Sequence, residues 1–242
     1  MTYTTPGGSY SRLYADMANQ THLLIAGATG AGKSVVINGI LHAILHDSPA
    51  ADGLILIDLK KVELSEYRDL PHVREYADTA PAALRALQNA LDIVEARYSD
   101  MQRRHLRIYD GSHLYVIIDE LADLLTIAGK RAAPLLQRLS QIGRGARCHL
   151  IAATQHIPTV PTSIRCNFAS RLGLCTGSAQ DSRNIIFRAG CEKLPYPPDI
   201  HQAYGYYLRG PKCELYQLPM TDEAERLRII NHWTAQAHRR PA

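Results

Sequence analysis

One octapeptide restricts the fold of this 242-residue chain more than any other feature of its sequence. It fits the pattern G-x-x-x-x-G-K-[ST] and reads Gly27-Ala28-Thr29-Gly30-Ala31-Gly32-Lys33-Ser34. An apolar run, His22–Ala26, precedes it, and a helical pattern of apolar residues begins at Lys33. A strand before the glycines and a helix after them is the context in which this pattern forms a phosphate-binding loop. We therefore expect a strand–loop–helix unit with a phosphate site at the start of the helix.

The residue types of the loop explain why it would bind a phosphate chain. Glycines let the backbone wrap phosphate oxygens without Cβ clashes, and the loop amides and the helix N-terminus stabilise negative charge. Lys33 can reach the outer phosphates, and the Ser34 hydroxyl can hold Mg²⁺. A glycine turn without a ligand is the alternative, and the flanking strand and helix argue against it.

The rest of the chain alternates short apolar runs with longer helical patterns, which is typical of an α/β fold with a mainly parallel sheet flanked by helices. The predicted strands are His22–Ala26, Gly53–Asp58, Leu114–Asp119, His149–Thr154 and Arg171–Cys175. The predicted helices are Lys33–Leu45, Ala82–Arg107, Ala132–Ile142 and Asp181–Ala189. A small C-terminal extension is expected to form a hairpin, Tyr204–Leu208 with Cys213–Leu218, and a final helix.

Length and composition fit one folded domain. The chain is 46% apolar and 21% charged, which excludes a disordered chain. We expect a single domain over residues 1–242, with a core at about 20–195 and the extension at about 200–237. The longest apolar runs are far shorter than the ~20 residues of a membrane-spanning helix, so no membrane segment is expected.

Cysteine usage and the N-terminus predict a cytoplasmic protein. The five cysteines are odd in number and lack C-x-x-C spacing, which favours free thiols in a reducing compartment over disulfides or a zinc site. The polar segment Met1–Tyr10 lacks the basic start and apolar middle of a signal peptide. The excess of basic over acidic residues, 27 against 23, is too small to indicate a nucleic-acid partner by itself.

Two strand ends carry residues that suit phosphate hydrolysis. The strand Leu114–Asp119 leads into an acidic pair, in which Asp119 would bind the Mg²⁺ shell and Glu120 would deprotonate the attacking water. The strand His149–Thr154 is followed by Gln155, whose neutral amide suits a sensor of the terminal phosphate. Either feature is also an ordinary polar strand terminus. The presence of the glycine-rich loop favours the functional interpretation of the acidic pair, whereas the role of Gln155 depends on a sheet order that places its strand beside the loop.

Four further segments follow the loop in a defined order: Leu56–Ser65 (LIDLKKVELS), Ile117–Leu124 (IIDELADL), Ala152–Gln155 (AATQ) and Asp181–Leu194 (DSRNIIFRAGCEKL). With the loop, they resemble the motor core of FtsK/SpoIIIE-type DNA translocases, in a short soluble form, over about residues 20–195. The loop and the acidic pair alone indicate only a P-loop ATPase. The I-D-x-K-x-x-E-L-S and D-E-x-A-D-L segments are far more specific to this family.

The resemblance implies a RecA-like P-loop NTPase that assembles as a homo-oligomeric ring, usually a hexamer, around double-stranded DNA and hydrolyses ATP to move along it. It implies that Lys33 and Ser34 bind nucleotide and Mg²⁺. Asp119 and Glu120 would form the hydrolytic pair, and Gln155 would be the phosphate sensor. Arg144 matches the arginine that serves as a finger into the nucleotide site of the neighbouring subunit. Arg183 is a second candidate for a nucleotide or interface contact.

The chain departs from the family pattern at three places. Leu59 stands where the family usually has proline, and His156-Ile157 replaces an arginine–proline pair. Pro195-Tyr196-Pro197-Pro198 replaces a glycine-rich G-x-G-D turn, near the usual DNA-facing or interface surface. Because this last change lies near that surface, the resemblance supports the ATP site more strongly than the DNA contacts.

Two functions of different classes remain open at this point. One is a DNA translocase that contacts duplex phosphates with little regard to sequence. The other is an ATP-dependent assembly or regulatory protein of a mobile element, with nucleotide-switched oligomerisation and no translocation. The altered residues after Gln155 and Leu194 favour the second function slightly. A small-molecule kinase is disfavoured, because Glu120 suits activation of water and the sequence has no obvious acceptor-binding lid.

Overall fold

The computed structural model of the chain describes residues 2–4, 10–12, 21–47, 52–196, 202–219 and 223–237. Its strands are β1 (Thr2–Thr4), β2 (Tyr10–Arg12), β3 (His22–Ala26), β4 (Gly53–Ile57), β5 (Val73–Ala77), β6 (Leu114–Ile118), β7 (Cys148–Thr154), β8 (Ser170–Gly173), β9 (Gln202–Arg209) and β10 (Lys212–Pro219). Its helices are α1 (Lys33–Asp47), α2 (Ala80–Arg103), α3 (Leu121–Ile142), α4 (Thr162–Arg165), α5 (Ala179–Ile186) and α6 (Glu223–Ala237).

The strands form one sheet in the order β2-β1-β10-β9-β8-β3-β7-β6-β4-β5. The six strands from β8 to β5 are parallel to one another, and the four strands from β2 to β9 pair antiparallel. The central strands β3, β4, β6 and β7 are buried along their whole length, which explains their unbroken apolar sequences. The prediction of an α/β fold with a mainly parallel sheet and a C-terminal hairpin and helix is confirmed.

The carboxyl ends of the central strands β3, β6 and β7 lie side by side. We call such a line of strand ends a sheet edge, as distinct from an outer strand. Ala26 at the end of β3 is paired with Thr154 at the end of β7, and Ile118 at the end of β6 is paired with Ala152. On its other side β3 pairs with β8, whose last residue is Gly173. The loops that follow these strands are therefore neighbours, as the interpretation of the strand ends required.

One predicted helix starts too late, and one strand of the parallel sheet was missed. α3 begins at Leu121, eleven residues before the predicted Ala132, and it is interrupted by a non-helical backbone at Ala128. β5 was not predicted at all, because an edge strand with charged Arg74 and Glu75 lacks the apolar run of a central strand. The other predicted elements are present, and their ends differ from the predicted ones by at most four residues.

Three remaining expectations concern cysteines, membrane segments and the N-terminus. All five cysteines are free, as predicted; Cys166 is exposed, whereas Cys148, Cys175 and Cys191 are buried. No helix in the described part of the chain is long and apolar enough to cross a membrane. Pro197, Pro198 and much of the segment Met1–Tyr10 lie outside the described residues.

Candidate nucleotide site

The glycine-rich loop joins β3 to the N-terminus of α1. Gly30 and Gly32 have φ angles of +74° and +96°, which side chains with a Cβ rarely adopt. A methyl group on Gly27 would lie 2.8 Å from the Cβ of Leu174. The glycines are therefore required by the backbone path, and that path ends at a helix N-terminus, where an anion is favoured.

Lys33 is buried in the loop that it would serve. Its Nζ donates hydrogen bonds to the carbonyl oxygens of Gly27 at 2.9 Å and of Ala28 at 2.7 Å. Burial lowers the pKa of Lys33 to about 8, and the nearby carboxylates of Glu120 and Asp119 oppose this shift. A phosphate bound in the loop would favour the charged form of Lys33. The ammonium is close enough to exchange these carbonyl oxygens for phosphate oxygens, and the negative charge of a phosphate would attract it more strongly.

Asp119 directly follows β6 and is 8% exposed, among other carboxylates. Burial, and after it the charges of Asp58 and Glu63, together raise the pKa of Asp119 to about 6. A divalent cation would remove this repulsion. Carboxylate and hydroxyl oxygens are suitable ligands for Mg²⁺, so Asp119 and Ser34 fit the metal that a phosphate-binding loop implies.

Glu120 is 6% exposed, and its carboxylate makes hydrogen bonds and an ion pair with several neighbouring residues. Both of its oxygens accept from the backbone N–H of Gln155 at 3.1 Å, and Oε1 also caps α3 by accepting from Ala122 N at 3.3 Å. Lys60 places its Nζ 3.8 Å from Glu120 Oε2 and 3.5 Å from Asp123 Oδ2. The carboxylate is thus fixed at the sheet edge beside the partly exposed ammonium of Lys60.

Gln155 directly contacts the glycine-rich loop. The hydroxyl of Thr29 donates to Gln155 Oε1 at 2.7 Å. Because Gln155 N also contacts Glu120, this one residue links the apex of the loop to the acidic pair. The structure therefore brings together Lys33, Asp119, Glu120 and Gln155, all of which were selected from the sequence.

The turn after β4 contributes residues to which the sequence analysis assigned no individual role. Asp58 is fully buried; its Oδ1 accepts from Lys61 N at 2.9 Å and its Oδ2 from Leu64 N at 3.0 Å. These bonds hold a tight turn in which Lys61 has a φ of +61°. The turn brings Lys60 to Glu120 and the charge of Glu63 close to Asp119. The signal was the I-D-x-K-x-x-E-L-S motif, whose spacing specified a family but not a geometry.

Arg144 lies away from this cluster. It is exposed in the turn between α3 and β7, at the edge of the sheet opposite the glycine-rich loop. β7 has seven residues, which at ~3.3 Å per residue separates its two ends by ~20 Å. Arg183 is exposed on α5, which follows β8. Arg144 is thus not positioned to contact the loop of its own chain.

Comparison with known proteins agrees with the sequence motifs. Residues 5–113 match the model of the FtsK/SpoIIIE family. A DNA translocase FtsK from Staphylococcus epidermidis is 39% identical over 196 residues, which is 72% of this chain and 25% of that protein. The chain belongs to the FtsK/SpoIIIE family. The DNA translocase FtsK of Lactococcus lactis is 37% identical over 202 residues, or 74% of this chain and 27% of that protein. This FtsK/SpoIIIE chain spans about a quarter of the length of these relatives.

Solved structures support the fold. The pCW3 conjugation coupling protein TcpA, described as a monomer form with ATPgS, superposes with a TM-score of 0.79 at 19% identity, over 96% of this chain and 70% of that chain. EccC (ATPases 2 and 3) from Thermomonospora curvata gives a TM-score of 0.80 at 16% identity, over 97% of this chain and 46% of that chain. The FtsK/SpoIIIE chain therefore has the fold of RecA-like P-loop ATPase domains. The family implies ATP and a divalent metal, and the loop, Lys33 and Asp119 fit both.

Proposed function

We propose that this FtsK/SpoIIIE chain is the motor unit of a DNA translocase, in which several copies form a ring, usually a hexamer, and ATP hydrolysis moves double-stranded DNA through it. One observation carries the assembly of copies: the loop, acidic pair and glutamine converge at one sheet edge, while Arg144 lies at the other, ~20 Å away. The DNA substrate is proposed from the relatives named DNA translocase FtsK. A nucleotide site that depends on Arg144 is complete only when a second copy supplies it.

The proposed reaction follows from the contacts of the site. ATP would enter the glycine-rich loop, and Lys33 would exchange the carbonyls of Gly27 and Ala28 for phosphate oxygens. Mg²⁺, held by Ser34 and Asp119, would neutralise charge on the outer phosphates. Glu120 would take the proton of the attacking water. Arg144 of a neighbouring copy would stabilise the charge that develops in the transition state.

Gln155 is well placed to report the state of the phosphates. Its side chain accepts from Thr29 of the loop and its backbone N–H donates to Glu120. We propose that a terminal phosphate replaces the Thr29 contact, so that occupancy of the loop alters the backbone after β7. The first residues of that backbone, His156-Ile157, lead into α4 and β8, which offers a path from the nucleotide to the rest of the sheet.

The test is ATP turnover with and without linear duplex DNA, at increasing salt. We expect stimulation by duplexes of any sequence that falls as salt rises, since phosphate contacts dominate such binding. Lys33→Ala should abolish turnover under every condition. Equal turnover with and without DNA, in a protein whose oligomeric state changes with ATP, would instead support the nucleotide-switched assembly protein favoured by the altered segments. Electron micrographs with duplex DNA and an ATP analogue should show a threaded ring.

A further inference from the structure

The glycine-rich loop has two different neighbours because β3 lies between β7 and β8. On the β7 side are Gln155 and Glu120, which contact each other. On the β8 side the chain passes Cys175, whose carbonyl accepts from Ala28 N at 2.8 Å, and later returns through the turn that begins at Cys191. If hydrolysis occurs at the acidic pair, the terminal phosphate points toward β7, and the nucleoside leaves the loop toward β8.

An aromatic side chain, Tyr196, lies beside the glycine-rich loop, where the nucleoside would leave it. Tyr196 donates its hydroxyl to the carbonyl oxygen of Thr29 at 3.0 Å, although the two residues are 167 positions apart. A methyl group on Gly30 would lie 3.4 Å from the same hydroxyl and 3.8 Å from the ring carbon Cε2. The side chain of Tyr196 is nevertheless 59% exposed, so much of its ring is open to solvent beside the loop.

The contact of Tyr196 is compatible with a bound nucleotide. It uses a carbonyl oxygen of the loop, whereas phosphate oxygens are held by backbone N–H groups and the Lys33 ammonium. The segment before Tyr196 is anchored, since Leu194 is 9% exposed and donates from its N–H to the carbonyl of buried Cys191 at 3.1 Å. Pro195 and Pro197 flank the tyrosine in the sequence, and the backbone of a residue before proline is restricted to extended conformations. An exposed ring is therefore held in place next to the phosphate site.

We propose that Tyr196 forms the base-binding surface of the nucleotide site, and that its exposed ring stacks on the purine of the bound nucleotide. This inference rests on the proposed function only in requiring that the glycine-rich loop binds a nucleoside triphosphate. Stacking uses the π-face that every base has, so Tyr196 selects for the size of the base rather than for its hydrogen-bonding groups. The chain should bind ATP and GTP similarly and bind CTP and UTP more weakly.

The experiment compares ligands with and without a base. Binding of ATP, GTP, CTP and inorganic tripolyphosphate is measured by calorimetry for the intact chain, Tyr196→Phe and Tyr196→Ala. Tyr196→Ala should weaken ATP and GTP roughly 10- to 100-fold, the range of a lost base–aromatic stack, and leave tripolyphosphate unchanged. Tyr196→Phe keeps the ring and should bind ATP within about twofold of the intact chain. Leu227→Ala removes an exposed apolar side chain far along the chain, on α6. It is the matched control and should leave the affinity for every ligand unchanged.

Three outcomes would overturn the inference. If Tyr196 only braces the loop through its hydroxyl, both tyrosine variants weaken ATP and tripolyphosphate alike. If it does neither, Tyr196→Ala binds every ligand like the intact chain. If the loop is not a nucleotide site, the intact chain binds neither ATP nor tripolyphosphate, or Lys33→Ala binds them unchanged. The third result alone contradicts the proposed function as well, whereas the first two leave it standing. Circular dichroism confirms that each variant is folded.

Discussion

Glu120 shows how one residue meets structural and chemical demands together. Its carboxylate caps α3 through Ala122 N and accepts from Gln155 N, yet the same oxygens would have to take a proton from water. Both structural bonds use Glu120 as an acceptor, which a glutamine side chain can imitate. Only the proton transfer and the pairing with the partly exposed Lys60 require the negative charge, and an ion pair of that kind contributes little to stability.

Glu120→Gln should therefore separate folding and binding from hydrolysis. We expect ATP affinity within a few-fold of the unchanged chain and a loss of turnover of about 10²–10⁴, since the amide cannot act as a general base. Single-turnover hydrolysis and equilibrium nucleotide binding measure the two quantities. Asp123→Asn, which neutralises the other carboxylate near Lys60, is the matched control. Turnover of Glu120→Gln within tenfold of the unchanged chain would remove Glu120 from its role as base.

His22 makes the stability of the fold depend on pH. It is buried at the start of β3, where its Nδ1 accepts from Leu150 N at 3.0 Å. Burial lowers the pKa of His22 to about 4 from the ordinary value of 6.5. The unfolded chain therefore takes up this proton more readily than the folded chain, so the contribution of His22 is complete above pH 6.5 and is lost as pH falls toward 4. The loss is about 3 kcal/mol between pH 7 and pH 4.

Urea denaturation at pH 7, 5.5 and 4 measures this loss. His22→Gln has no titrating group at the site. It should be less stable than the unchanged chain at pH 7, but its free energy of unfolding should fall less between pH 7 and pH 4. Parallel declines in the two proteins would show that His22 does not cause the pH dependence.

At the scale of elements, α2 fixes the turn that carries Arg144. We call residues 143–147 the finger loop. Arg97 of α2 donates to the carbonyls of Ala146 at 2.7 Å and Arg147 at 3.3 Å. The hydroxyl of Tyr98, also on α2, donates to the carbonyl of Ile142 at 2.8 Å, just before the finger loop. A helix of 24 residues thus holds a short loop whose only proposed role is to present Arg144.

Tyr98→Phe should reduce turnover without disturbing the ATP site of the same chain. The variant keeps the ring and loses one hydrogen bond, which costs about 1 kcal/mol of stability. Because Arg144 would act in the transition state, we expect a several-fold lower kcat with an unchanged KM for ATP. Ser99→Ala, which removes a hydroxyl bonded within α2 itself, is the control. An equal effect of Tyr98→Phe in an Arg144→Ala background would exclude action through the finger loop.

The elements also show what the sequence could predict. β3, β4, β6 and β7 are buried on both faces, so each has a continuous apolar run, and the glycine-rich loop has a fixed local spacing. β5 has charged residues and one buried position, Ala77, so its pairing with β4 is decided by tertiary contacts. The first half of α3 was missed because Gly129, a poor helix former, interrupts the helical pattern of the sequence beside the structural break at Ala128. The contacts of Lys60 and Tyr196 join residues that are distant in sequence, and no local pattern encodes them.

At the scale of the whole molecule, the two edges of the parallel sheet carry two halves of the proposed site. The edge after β3, β6 and β7 carries the loop, acidic pair and glutamine, and the opposite edge carries the finger loop. Copies that meet head to tail would bring unlike edges together, and such contacts form a ring when the rotation from one copy to the next closes. Activity should then depend on protein concentration, because each site needs residues from two chains.

Mixing two inactive variants tests this arrangement. Lys33→Ala removes the phosphate contact and keeps Arg144, whereas Arg144→Ala keeps the loop and removes the finger. In a one-to-one mixture, about a quarter of head-to-tail interfaces pair an intact loop with an intact finger. Because an arginine finger contributes ~10³–10⁵ in rate, turnover should rise far above that of either variant alone. An Arg144 that acts within its own chain, or only packs or binds DNA, predicts no recovery at any ratio. Mixed rings can be verified by mass spectrometry, so absence of recovery in rings shown to contain both variants would exclude a finger supplied by the neighbouring copy.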